Sequence, residues 1–375
     1  MRMTDSPGEI GLDTRVLERA WGLLDEATAS GRPMAAALGI ARRGVALPPR
    51  FFGRQGCQPD ATPVDADTLF LVASITKPVT ATAVMRLVEQ GLVGLDDPLA
   101  EHVPEFGRRG KGGVRLRHLL THTSGLPDML PENEDLRRQH APLSTFIARI
   151  CDLPLDFEPG TSIQYQSCGI AMLGELVHRV SGLPLPAFLR REVFDPLGMR
   201  DTCLGIPEGS DDPDAGRVAR VRLPAAMEGT DWGWNSPYWH ALGAPWGGMF
   251  TTVADMVRFG QCMLQGGEVD GVRLLSPATV AAMTRDQTWG MSEIPEALRR
   301  HQAWGLGWKL VPPLEAGYFG DLLSPGSYGH GGATGTTMWV DPARELVCCL
   351  FTTEPLEQSG RLLGRCSTII AAAAV

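Results

Sequence analysis

In "DTRVLERAWGLLDEATASG" the apolar residues fall at Val16, Leu17, Ala20, Trp21, Leu24 and Ala27. That spacing draws one stripe along a helix, with Asp13 placed to cap its start and Gly31 to stop it. The runs "MAAALGIARRG" and "LPPRFFG" then read as short strands. A second long helix is expected over "LFLVASITKPVTATAVMRLVEQGL", ending at "EQGLVGLDDPL". From about residue 115 to 300 helical segments alternate with loops: "LRHLLTHTSGLPD", "STFIARICDLPL", "GIAMLGELVHRVSGLP" and "TVADMVRFGQCMLQGG". Pro, Gly and Asp mark the breaks, most densely in "IPEGSDDPDAG". After residue 300 the pattern changes again. "AWGLGWKLV", "GTTMWVDP" and "ELVCCLFTT" read as strands, with "VDPARE" as a hairpin turn between the last two. "SGRLLGRCSTIIAAA" closes the chain as a helix.

Strands near both termini with helices between them predict an α+β fold, not alternating βαβ units. The expected architecture is an antiparallel sheet formed from both chain termini, flanked by helices, with a mostly helical region inserted. The corresponding division is residues 1–72 and 300–375 for the sheet region and 73–299 for the helical region, in one unit. No internal repeat occurs.

Composition narrows the functional classes. The 375 residues are 43% hydrophobic and 21% charged, ordinary values for a globular chain with a sizeable core. A formal charge of −9 and the lack of a basic tract argue against a nucleic-acid partner. No apolar run reaches the roughly 18 residues that a spanning helix needs, so no membrane partner is expected. The N-terminus lacks the succession of a signal peptide. The eight cysteines show no CxxC pair and no regular spacing, so reduced thiols and a cytoplasmic location are expected. Cys348 and Cys349, within a strand, read as core.

Candidate chemistry starts at Ser74 and Lys77. Residues three apart share one face of a helix. A catalytic serine needs a group to take its proton and donors to hold the oxyanion that follows attack. A serine at a helix start has a free N–H, and a lysine whose pKa is lowered from about 10.4 is a base. GxSxG, HExxH, a P-loop and GxGxxG are all absent. S-x-x-K alone is a weak signal, since a capping serine and a surface lysine produce it equally well.

The surrounding blocks are more specific. "FLVASITKPVTATAVMRLVEQGLVGLDDPLAEHVPEF", "LRHLLTHTSGLPD" and "EPGTSIQYQSCGIAMLGELVHRVSG" resemble, in order, the serine β-lactamase-like family. That family joins class C β-lactamases, DD-peptidases and β-lactamase-like esterases. "FDPLGMRDT", "WGGMFTTVADMVRF" and "YGHGGATGTTMWVDP" extend the resemblance over roughly residues 13 to 355. It implies a β-lactamase/transpeptidase-like fold and assigns roles by position. Ser74 matches the acylated nucleophile and Lys77 its partner. Tyr165 matches the second-motif tyrosine that shuttles a proton to the leaving group. His330-Gly331-Gly332 matches the third motif, which the family carries on an edge strand. The oxyanion hole would be the N–H groups of Ser74 and Ala333, next to Gly332. Whether Lys77 or Tyr165 is the main base stays open.

Two positions depart from the family pattern. Ser167 stands where an amide-reading asparagine is common, and His330 where true β-lactamases have lysine. Serine is a shorter, weaker amide reader, and a neutral imidazole does not anchor a carboxylate as lysine does. The expected activity is therefore hydrolysis of a small carboxylic ester through an acyl-enzyme. A β-lactamase, a D-amino-acid peptidase or amidase, or an acyltransferase are the alternatives within the family. A non-catalytic acyl-ligand-binding protein is the rival from another class. No cofactor is implied, and the sequence sets no oligomeric state.

Other residues have competing readings. His118 and His122 are spaced like an i,i+4 metal pair, but no third ligand follows, so no metal is expected. Trp232, Trp234, Trp239 and Trp246 read either as walls of an apolar acyl pocket, Trp246 above all, or as loop packing. "SDDPDAG" reads as a solvated turn.

Overall fold

Strands from the two ends of the chain pair into one eight-stranded sheet in the computed structural model, which describes residues 1–58, 60–207, 215–311 and 317–375. Its order is Arg2–Met3, Val45–Ala46, Ala35–Arg42, Leu346–Thr352, Thr336–Asp341, Tyr328–Gly332, Lys309–Leu310, with Arg50–Gly53 also paired to Ala35–Arg42. Every pairing is antiparallel except that of the first strand with Val45–Ala46. The centre is the ladder from Leu346 opposite Arg42 to Thr352 opposite Ala36. Both strands are buried along their whole length, which is why they read as unbroken apolar runs without alternation.

Two layers cover the sheet. On one face lie the helices Thr14–Ala29 and Leu356–Ala372, meeting Leu38, Ile40, Cys348 and Leu350. The Asp13 carboxylate starts the first of them by accepting the Arg15 and Val16 N–H groups at 2.8 and 3.3 Å. On the other face lies the helix Val253–Leu264, so close that a Cβ on Gly39 would sit 2.6 Å from Val257. Cys348 and Cys349 pack into opposite layers, as period two requires.

Behind that second layer the helix Thr76–Glu89 runs through the larger core, buried on nearly every side. Pro78 sits in its first turn, where a missing N–H breaks no helical bond. The helix Ser167–Ser181 lies against the loop before Met249: a Cβ on Gly174 would meet Pro245 at 2.6 Å. No described helix is long and apolar enough to cross a membrane.

Three expectations are shortened by tertiary structure. "AWGLGWKLV" yields only the strand Lys309–Leu310, because the chain folds over at Gly305–Gly307, where Leu306 and Gly307 donate to the carbonyls of Met283 and Leu120. "LRHLLTHTSGLPD" is helical only over Leu116–Leu120, since His122 and Gly125 both adopt left-handed backbone, at φ 60° and 83°. Finally, the strand Tyr328–Gly332 is an edge over only part of its length. Lys309–Leu310 covers Tyr328 and Gly329, and the outer edge from His330 to Gly332 pairs with no described strand. Most of the "SDDPDAG" turn lies outside the described residues.

Candidate active site

Ser74 stands where a strand turns into a helix. Phe70–Leu71 pairs with Met249–Thr251, a short turn spans Ala73–Ile75, and the helix Thr76–Glu89 follows. Ala73 is held at φ 45°, a left-handed conformation that costs an L-residue about 1–2 kcal/mol. The Thr76 hydroxyl ties off this turn by donating to Ala73 O at 2.6 Å. Ser74 itself stays partly exposed.

Lys77, one turn on, is 1% exposed. Its Nζ lies 3.0 Å from Ser74 Oγ and 2.9 Å from the carbonyl of Trp246. Burial pulls its pKa from 10.5 to about 7, against a weaker upward pull from the Asp128 carboxylate. An amine at that value is poised near neutrality to take a hydroxyl proton.

Tyr165 completes the cluster from a different part of the chain. Lys77 Nζ is 4.7 Å from its ring centroid, and the Ser74 side chain is near enough to act on its phenol. Burial pushes its pKa well above 10, only partly offset by Ser74, while Asp128 and Tyr318 push it further up. The phenol therefore stays neutral across the working range. The neighbouring Gln166 fixes the segment: its N–H donates to His122 Nδ1 at 3.1 Å, and its amide reaches the His118 and Leu119 carbonyls, both at 3.3 Å.

His330 comes from the sheet. Its Nδ1 lies 2.7 Å from Gly331 O; a carbonyl only accepts, so the proton sits on Nδ1 and Nε2 is a bare lone pair. Burial first, and Lys77 second, lower its pKa to about 3, so the ring is neutral. Its Nε2 is buried and finds no partner among the described residues.

The turn after His330 is built against the nucleophile segment. Thr334 and Thr336 donate their hydroxyls to the Leu71 and Val72 carbonyls at 2.5 and 3.0 Å. Gly332 permits this approach: a Cβ there would lie 2.2 Å from both Val72 O and Thr336 Oγ1. Among the described residues no acceptor is found for the Ser74 N–H or the Ala333 N–H, and Ala333 is exposed. Two free backbone donors flanking one serine have the composition of an oxyanion hole.

Ser167 and Trp246 fall beside an apolar crevice, also lined by Met129, Leu130, Phe146, Ile150 and Ala171 and barely wide enough for a water-sized sphere. Trp232 and Trp239 do not line it; they lie against Arg137, while the Trp234 carbonyl meets His240 Nε2 at 3.1 Å. The four-tryptophan acyl wall is thus reduced to Trp246.

Asp128 escaped the sequence reading altogether, and Trp246 and His122 act in ways it did not foresee. Asp128 accepts the Ser167 N–H at 2.8 Å and acts on both Lys77 and Tyr165. Trp246 serves Lys77 through its carbonyl, which no side-chain pattern announces. The His122 ring lies tilted 4.8 Å from the Tyr165 ring and edge-on 4.2 Å from the Trp304 ring, centroid to centroid. Its Nδ1 accepts from Gln166, so its Nε2 carries the proton, and that N–H is buried without a described acceptor. His118 spends its Nδ1 on the Arg115 N–H at 3.2 Å, as His122 does on Gln166, so neither histidine offers that nitrogen to a metal. No group of three potential metal ligands occurs among the described residues.

The model of the Beta-lactamase family matches residues 22–365. The chain belongs to that family. Membership makes it an enzyme of the serine hydrolase type. This Beta-lactamase family chain is 27% identical, over 94% of its length and 86% of the relative's, to "Putative D-alanyl-D-alanine carboxypeptidase" of Salmonella heidelberg (strain SL476). Among solved structures it is similar to EstCE1, a hydrolase with promiscuous acyltransferase activity, at 23% identity and a TM-score of 0.78, covering 96% of this chain and 98% of that one. A family VIII carboxylesterase aligns at 21% identity and a TM-score of 0.75, covering 95% of this chain and 99% of that one. At such identities these structures establish the β-lactamase/transpeptidase-like fold.

Proposed function

We propose that the chain hydrolyses carboxylic esters of short acyl groups through a covalent acyl-enzyme on Ser74. The observation that carries this reading is the 3.0 Å approach of Lys77 Nζ to Ser74 Oγ, with the amine lowered to about 7. Neutral Lys77 takes the Ser74 proton as Oγ bonds to the ester carbonyl carbon. The carbonyl electron pair moves to the oxygen, where the Ser74 and Ala333 N–H groups hold it. Tyr165, a neutral phenol beside Ser74 and Lys77, hands a proton to the departing alkoxide and is reprotonated from Lys77. A water, deprotonated by the same pair, then attacks the acyl carbon and frees Ser74. Assigning the base to Lys77 rests on the opposite directions of the two shifts, amine down and phenol up.

An ester is favoured over a lactam or a D-alanyl peptide for two reasons. His330 is neutral and cannot pair with a substrate carboxylate as lysine does, and Ser167 is a short amide reader. The narrow crevice at Ser167 and Trp246 favours an acetyl-sized acyl group. A cytoplasmic location belongs to the same reading, supported by eight cysteines that form no disulfide among the described residues.

The test is a substrate panel of p-nitrophenyl acetate, butyrate and hexanoate, nitrocefin and a D-Ala-D-Ala peptide, run on the wild type and Ser74→Ala. The acetate is expected to turn over best, and every activity is expected to vanish in the variant. Faster turnover of nitrocefin or the peptide than of any ester would overturn the substrate class, and undiminished ester turnover in Ser74→Ala would overturn the nucleophile.

A further inference from the structure

Arg137 is a buried cation with two donors, Nε and Nη2, that find no acceptor among the described residues. It lies on the short helix Asn133–Arg138, is 4% exposed, and sits against Trp239 and Trp232 with its guanidinium carbon 4.0 and 5.4 Å from their ring centroids. The indole faces answer its charge, through the ring quadrupole. They do not answer its N–H bonds, which lie in the guanidinium plane. Among the described residues Nε and Nη2 have no acceptor, and the Trp239 Nε1–H has none either.

That Nε/Nη2 edge has a known use elsewhere in the same molecule. Arg117 sets Nε and Nη2 against the two oxygens of Asp96 at 3.1 and 3.2 Å, and Arg32 turns the same edge to Glu354. It is the geometry that matches a carboxylate with two parallel bonds. The acids nearest Arg137 are committed elsewhere: Glu134 and Asp135 to Arg138, each at 3.0 Å, and Asp231 to His140 at 3.3 Å. Burial lowers Arg137 only to about 10, so it is charged at neutral pH.

Position adds a second argument. Asn133, one helical turn before Arg137, lines the apolar crevice at Ser167 and Trp246. Arg137 follows about 6 Å further along the helix and does not itself line that crevice. The strand residue that would meet a substrate carboxylate is the neutral His330, so that strand offers a carboxylate no cation.

We propose that Arg137 binds the carboxylate of a small organic acid through Nε–H and Nη2–H, between the indoles of Trp232 and Trp239. The carboxylate belongs either to the tail of an ester substrate, which rests on the esterase reading, or to a free organic acid.

The experiment titrates the full-length protein with sodium succinate at constant ionic strength, with succinamide as the neutral control, reading tryptophan fluorescence and melting temperature. A saturable response to succinate and none to succinamide is expected. It should weaken at least tenfold in Arg137→Lys, which keeps charge but loses the paired edge, vanish in Arg137→Met, and persist in Ser74→Ala. The source is separated by comparing 4-nitrophenyl hydrogen succinate with p-nitrophenyl acetate. For a substrate tail the charged-over-neutral ratio of kcat/KM falls at least tenfold in Arg137→Met; for a free acid the ratio holds while the succinate response is lost. No saturable response in the wild type, or an equal one in a folded Arg137→Met, overturns the proposal. Persistence of the response in Ser74→Ala keeps this outcome separate from any failure of the esterase reading.

Discussion

The Thr336 hydroxyl donates to the carbonyl of Val72 at 3.0 Å, two residues before Ser74. With the Thr334 bond to Leu71 it fixes the turn carrying the Ala333 N–H to the segment carrying the Ser74 N–H. Removing a whole oxyanion donor costs about 3–4 kcal/mol of transition-state stabilisation, and misaligning one costs a fraction of that. Thr336→Val should therefore lower kcat for p-nitrophenyl acetate about tenfold with KM little changed. Steady-state kinetics on variant protein with wild-type circular dichroism checks this; a change confined to KM would remove the oxyanion role.

The Lys77 amine must be neutral to accept a proton. Its pKa of about 7 predicts that kcat/KM rises about tenfold per pH unit below 7 and flattens above it. Lys77→Arg, whose cation does not titrate in this range, should lose at least a thousandfold. The chain has three lysines, at 77, 111 and 309. Reductive ¹³C-methylation thus gives few enough signals to follow each one by NMR, and one should titrate near 7. A set that all titrate near 10 would exclude Lys77 as the base.

Asp255, buried at the start of the helix Val253–Leu264, accepts from the Thr202 hydroxyl at 2.8 Å and the Asp201 N–H at 3.0 Å. Burial outweighs these bonds and raises its pKa from 3.8 to about 6. The sign follows from proton binding. The folded state holds this proton more tightly than the unfolded chain, so the group's contribution is greatest below 3.8 and is lost as pH rises through 6. A shift of that size is about 3 kcal/mol at most. Asp255→Asn should flatten the fall in melting temperature between about pH 4 and 6; an unchanged slope there would contradict the assignment.

Phe146 lines the crevice, 6.1 Å from Trp246 between ring centroids. Phe146→Leu should make room for longer chains at about 1 kcal/mol of stability. The hexanoate-to-acetate ratio of kcat/KM is expected to rise about tenfold, read from a p-nitrophenyl ester series. An unchanged ratio would mean that the acyl chain lies elsewhere.

Much of this site is legible in the sequence, and the rest is hidden for identifiable reasons. Ser74 and Lys77 are three apart on one turn, so their approach is written in local periodicity. Tyr165 and His330 come from distant segments, and only the ordered blocks around them marked their convergence. The lowered pKa of Lys77 needs full burial, a tertiary property that a tetrapeptide does not carry. Trp246, Leu71 and Val72 act through carbonyls, which every residue has, so their identity gives no signal. In the sequence His122 shows only the spacing of a metal pair that lacks a third ligand; its left-handed backbone turns the ring toward Tyr165 instead. "AWGLGWKLV" looked like a strand because its aromatic and apolar residues outweighed two glycines that fold it over.

The central claim is that Ser74 is an activated nucleophile, and covalent labelling tests it most directly. Incubation with a fluorophosphonate, followed by intact mass and peptide mapping, should give one adduct per chain on Ser74, none on Ser74→Ala, and slow labelling of Lys77→Met. An unlabelled wild type, or an adduct on another residue, would contradict the account and return the fold to the role of a binder.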